Sequence, residues 1–226
     1  MLSNTLFLKT KDLFEQKANQ TVGQKFKAYM KGHFEFYGVM APERNNIEKS
    51  LRSDYKILDV DQMLNYVSLL WQCEEREMQY TAMEVLKYRK KLLTTDHLPY
   101  IENLIVTKSW WDSIDSLAPN IAGHLFTFDD DIKMIWIDKW SNSQNMWLNR
   151  STIIHQLRYK TDVNLELLFA LVEKHSVSKE FFINKASGWA LRQASKFYPQ
   201  EINQFINDHP ELSNLTKKEG RKYLKH

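Results

Sequence analysis

The sequence predicts an all-α fold built as a solenoid of helix pairs, and three observations carry that reading. Glycine and proline are scarce, 6 and 5 in 226 residues, too few for the tight turns of a sheet-rich fold or for flexible linkers. Apolar residues recur with the 3.6-residue period of a helix in one segment after another. The segments YTAMEVLKY (80–88), RSTIIHQLRY (150–159) and KASGWALRQASKF (185–197) read as the second helices of such pairs, with an interval of about 40 residues, that of the HEAT-like class. Stacked pairs of this kind present a concave face to an extended partner.

The elements follow in order. Period-3.6 patterns run over 4–18, 21–31, 42–53, 59–71, 74–91, 96–106, 110–122, 129–141, 145–160, 164–175, 179–197 and 200–208, with a last helix from 215. Pro42 suits the first turn of its helix, Asp59 and Asp96 suit N-caps, and Asp162 and Pro199 mark breaks. With 43% hydrophobic residues the chain can bury a proper core, and one domain over 1–226 is expected. Trp71, Trp136, Trp140 and Trp147 are assigned to that core, since large aromatics dominate packing.

Several function classes lose their anchor. Cys73 is the only cysteine, which excludes an internal disulfide framework and a cysteine zinc cluster. The seven histidines are scattered, with no pair at metal-ligand spacing on one helix. Phosphate loops, dinucleotide fingerprints, H-E-x-x-H and G-x-S-x-G are missing. Chemistry without metal or cofactor is expected. The start, MLSNTLFLKTKDLFEQ, does not read as a signal peptide, and no run of 18 apolar residues occurs. A soluble, cytoplasmic monomer is expected, and its net charge of +3 is compatible with a polyanion partner.

Within TKSWWDSIDS (107–116) two tryptophans meet two aspartates. At 100° per residue Trp110, Ile114, Leu117 and Ile121 share one apolar stripe, while Trp111 and Asp115 lie four apart on an adjacent face. Arg150 with Arg158, and Trp189 with Arg192, make similar one-face pairs in later segments. Singly, each has an ordinary explanation as core aromatic or solvated charge. Together they stand out.

The segments LIVTKSWWDSIDS (104–116), MWLNRSTIIHQLRYK (146–160) and SKEFFINKASGWALRQASK (178–196) resemble the DNA alkylation repair family of AlkD-type DNA glycosylases. The similarity reaches back through EEREMQYTAM (74–83) to PERN (42–45) and YMKGHFEFYG (29–38). W-W-D-x-[IV]-D followed in order by W-L-x-R and G-W-x-L-R is a specific combination. The resemblance implies hydrolysis of the base–deoxyribose bond of cationic alkylated purines, 3-alkyladenine and 7-alkylguanine, in double-stranded DNA. It implies Asp115 as the catalytic acid residue, Trp111 and Trp189 as aromatic walls, and Arg150, Arg158, Arg192 and Tyr29 as DNA contacts. The chain departs from the family before the PER turn, with Met40, Ala41 and Asn45 in place of a T-P-E-R-R type segment. A hydroxyl before the proline would cap the helix and could touch a phosphate. Two other readings stay open. A non-catalytic nucleic-acid-binding module would keep the arginines but have no use for Asp115, and a protein-interaction scaffold would need neither.

Overall fold

The computed structural model describes residues 2–224, and among them the chain forms helices and turns with no strand; one isolated bridge joins Glu35 and Glu75. Contacts divide the chain into two units, Met1–Leu93 and Thr94–His226. No helix among the described residues is long and apolar enough to cross a membrane.

The first unit holds α1 (Leu2–Glu15), α2 (Gln20–Tyr29), α3 (Ala41–Ser50), α4 (Arg52–Lys56), α5 (Val60–Gln72) and α6 (Arg76–Arg89). Helix α5 packs on α1 and α6, burying Phe14, Met63, Leu70, Met78 and Leu86 completely. Thr10 and Tyr66 share a hydrogen bond of 2.6 Å inside that core, so neither hydroxyl is left unsatisfied. Asp59 caps α5 as expected, in a reciprocal box with Gln62. Pro42 lies in the first turn of α3, also as expected, but the N-cap is Met40 and makes no side-chain bond. Ala41 is therefore the first helical residue, one position earlier than the sequence suggested. The buried Glu77 carboxylate accepts the backbone N–H groups of Tyr37, Gly38 and Val39 at 3.2, 2.9 and 3.2 Å. Gly38 makes that turn possible: its φ is 83°, and a Cβ there would lie 2.1 Å from the Asn19 carbonyl oxygen.

The second unit holds α7 (Leu98–Val106), α8 (Trp111–Leu117), α9 (Gly123–Leu125), α10 (Asp130–Ser141), α11 (Met146–Ile154), α12 (Leu165–Lys174), α13 (Phe181–Ala194), α14 (Pro199–Asp208) and α15 (Asn214–Gly220). Asp129, Asn145, Asn164 and Ser213 cap their helices by accepting a backbone N–H in the first turn. Asp96 does not cap: Thr94 does, and Asp96 falls inside a short 3-10 turn, Thr95–His97. The expected helix over 110–122 is interrupted by a π turn, Ala118–Ala122. Pro119 sits there, lacking the N–H that an α ladder needs. Likewise the pattern over 145–160 ends its α form at Ile154 and continues as a 3-10 turn, His155–Arg158.

A regular register emerges that is shorter than the sequence suggested. Helices α3, α6, α8, α11 and α13 begin at Ala41, Arg76, Trp111, Met146 and Phe181, 35 residues apart at every step. Equivalent positions then do equivalent work. The fourth residue of α6, Gln79, donates to the carbonyls of Leu70, Trp71 and Cys73. The fourth residue of α11, Asn149, donates to those of Trp140, Ser141 and Ser143. Each amide satisfies carbonyls that the end of the preceding helix leaves open, and so fixes the angle at which the next helix starts.

Candidate functional site

The same register builds the site. Asp115 is the fifth residue of α8 and Arg150 the fifth of α11, and the two helices pack together. Arg150 Nε and Nη2 donate to one oxygen of Asp115, Oδ1, at 2.9 and 2.7 Å. Arg150 Nη1 donates to the carbonyl of Phe182, whose ring centroid lies 5.9 Å from the guanidinium carbon. The arginine is 2% exposed. A buried guanidinium is tolerable only with such partners, so the pair is fixed. The other carboxylate oxygen, Oδ2, accepts no hydrogen bond among the described residues, and the Asp115 side chain is 21% exposed. One oxygen anchors and the other is available. Burial lifts the Asp115 carboxyl above the usual aspartate range, and the Arg150 charge and hydrogen bonds pull it back down.

Aromatic rings crowd the Arg150 side. The rings of Trp110, Trp147 and Phe182 are mutually in contact, with centroids 5.8, 5.4 and 5.1 Å apart. Ile114, Leu117 and Ile121 of the predicted apolar stripe are buried, but Trp110 stands at the N-cap of α8 and is half-buried. Of the four tryptophans assigned to the core, Trp71 and Trp140 are there; Trp136 and Trp147 are half-buried instead. Trp147 belongs to this aromatic cluster because it is the second residue of α11, three residues before Arg150. Phe182 escaped sequence reasoning, although the tandem Phe181-Phe182 at a helix start one turn before Lys185 was a usable signal.

The remaining predicted residues are placed as follows. Trp111 is the first residue of α8, one turn before Asp115, and is half-buried. Trp189 is half-buried on α13, one turn before Arg192. Arg192 is ion-paired with Glu219. Arg158 is exposed at the end of its 3-10 turn, with no ion pair among the described residues. Tyr29 ends α2 in the first unit and is 72% exposed. Arg150, which the resemblance implies as a DNA contact, is buried and bonded to Asp115 and Phe182. The reason is electrostatic: next to a half-buried carboxylate, a guanidinium is held more strongly than by solvent. Among the described residues no group of three His, Cys, Asp or Glu side chains could hold a metal ion.

Three comparisons bear on this geometry. A sequence model of the family described as "DNA alkylation repair enzyme" matches residues 10–224. No curated protein matches. Among solved structures, a predicted DNA alkylation repair enzyme from Enterococcus faecalis is 29% identical, with 92% of this chain and 97% of that one covered and a TM-score of 0.85. AlkD2 from Streptococcus mutans is 18% identical over 79% of this chain and 89% of its own, with a TM-score of 0.62. The protein smu.31 from Streptococcus mutans UA159 is 15% identical over the whole of both chains, with a TM-score of 0.64. The last two share the fold.

Proposed function

Because the chain belongs to the DNA alkylation repair enzyme family, we propose that it is a monofunctional DNA glycosylase, acting as a monomer on duplex DNA to release cationic alkylated purines. The observation that carries this reading is the half-buried Asp115, with Oδ1 tied to Arg150 and Oδ2 open. When the base–sugar bond breaks, positive charge grows on the deoxyribose. A fixed carboxylate oxygen opposes that charge and can orient the attacking water. Water adds to the sugar carbon, its proton goes to solvent or Asp115, and the electron pair of the broken bond leaves with the base. In this reading Trp111 and Trp189 offer indole faces to the cationic sugar, an attraction of about 0.5–2 kcal/mol for a well-placed ring. Arg158, Arg192 and Tyr29 contact the DNA backbone, and the protein is nucleoid-associated when bound. A scaffold would have no use for a carboxylate held half out of water beside a buried arginine. The direct test is to incubate the full chain with duplex DNA containing 7-methylguanine in excess EDTA and assay free base. Release is expected; no release at micromolar protein, with DNA binding intact, would reduce the protein to a binding module.

Arg150 in this scheme is a positioning residue: it aims Asp115 and keeps it ionised. Removing it leaves burial unopposed, so the Asp115 pKa rises, and because the ionised form works, the acid limb of the excision rate should move to higher pH. For Arg150→Ala the limb is expected at higher pH than in the wild type, because the charge that favours the ionised form is gone. Arg150→Lys, which restores a charge, should move the limb part of the way back. An unmoved acid limb together with a salt dependence of DNA binding flattened by about one unit of slope would instead make Arg150 a phosphate contact.

A further inference from the structure

We propose that Lys185 and Arg192 form a seat for a phosphodiester of the DNA backbone, and that Glu219 fills this seat in the free protein as an internal competitor. The inference rests on the DNA-binding reading above but not on the excision chemistry. Glu219 on α15 offers one carboxylate oxygen to each cation: Oε1 lies 2.6 Å from Lys185 Nζ, and Oε2 pairs with Arg192 Nη1. Two oxygens of one anionic group, each on its own cation, is the arrangement that the two free oxygens of a phosphodiester would adopt there. Lys185 and Arg192 are seven apart on α13 and share its face with Trp189, the proposed aromatic wall. The seat therefore adjoins the residues assigned to the lesion.

The approach of α15 is built into the sequence. Between the two cations stands Gly188, where a Cβ would come within 2.6 Å of Glu219 Cβ and 3.0 Å of the Thr216 carbonyl oxygen. A glycine is thus required at the one point that lets the carboxylate reach in. Lys185 above all, then Arg192 and Lys222, hold the Glu219 carboxyl below its usual range, so it stays an anion wherever DNA is bound. Side-chain exposures of 38%, 19% and 16% for Lys185, Arg192 and Glu219 leave the seat within reach of a backbone lying on α13.

Competition has a thermodynamic signature. A phosphate that displaces Glu219 frees counterions from DNA, while the released carboxylate recovers one from solution, so the seat adds little to the salt dependence of the wild type. Glu219→Gln removes that cancellation. Binding of the full-length variant to an unmodified, fluorescently labelled duplex should strengthen roughly eightfold at 0.1 M salt, with a slope steeper by about 0.9 per phosphate gained. Gly188→Ala, which pushes α15 off α13, should give a gain in the same direction. Arg192→Gln should weaken binding by a larger factor in the Glu219→Gln background than in the wild type, where Glu219 already neutralises part of its charge, and should abolish most of the gain. Unchanged affinity and slope in whichever of the first two variants melts as a folded protein would overturn the proposal, and so would an equal cost of Arg192→Gln in both backgrounds. Such an outcome would make Glu219 a strap that holds α15 and nothing more. The measurement uses undamaged DNA, so a protein that excises nothing yet shows the gain would keep the seat and lose the glycosylase.

Discussion

Asp115→Asn is expected to lower excision of 7-methylguanine by roughly 10²–10³-fold, the scale set by removing one preorganised electrostatic group from a protected site. A simple estimate agrees: a unit charge about 4 Å from the developing sugar cation, at the effective dielectric of about 20 that suits protein sites, is worth about 4 kcal/mol. The variant is unusually clean for a structural reason. Both hydrogen bonds from Arg150 fall on Oδ1, and an asparagine oxygen can accept both in the same place. The hydrogen bonds are kept but the charge that balances the buried guanidinium is lost, so the variant should keep its fold and its affinity for undamaged duplex at a lower melting temperature, and circular dichroism melting with duplex binding checks both. Single-turnover excision near the wild-type rate would remove Asp115 from the chemistry.

The sequence made the helices legible because a 3.6-residue period and scarce glycine and proline report local structure. Capping was readable where the residue type was strong, as at Asp59. It was misread at residue 96 because a threonine two residues earlier takes the cap, and at Ala41 because a methionine can hold the N-cap position without a side-chain bond. The site was legible as a set of residue types: acid, tryptophan and arginine in order. Their pairing was not. That Asp115 meets Arg150 follows from the 35-residue register, which a weak repeat with an interval of about 40 residues blurred. Arg150 looked like a surface cation for the same reason, since nothing local says that a carboxylate waits on the neighbouring helix. Glu219 was invisible because a lone glutamate in NLTKKEG acquires meaning only when α15 docks over Gly188.

Selectivity among bases should follow the lability of the glycosidic bond, with 7-methylguanine and 3-methyladenine released and uracil, hypoxanthine and 8-oxoguanine released at least about 10²–10⁴-fold more slowly, the worth of a positioned general acid that the site lacks. A neutral base departs as an anion unless a proton reaches it or strong donors hold it. The candidate donors here are already committed. Asp115 is held toward its ionised form by two hydrogen bonds from Arg150, and Arg150 is buried, with its side and one further N–H engaged. A purine alkylated at position 3 or 7 carries its positive charge before the reaction begins and leaves neutral, so stabilising the sugar cation and supplying water is enough. The pH dependence separates the two roles of the carboxyl. Burial raises its pKa and Arg150 opposes the rise, so a charge-stabilising Asp115 gives excision that increases with pH through that pKa and then levels, whereas an acid that protonates the base gives excision that falls with pH through the same point. Parallel assays of one duplex sequence carrying each lesion, over pH 4 to about 8, the span on either side of a raised aspartate pKa, distinguish these outcomes. Efficient uracil release with a falling profile would mean that Asp115 works in its protonated form and that Arg150 serves the DNA backbone instead.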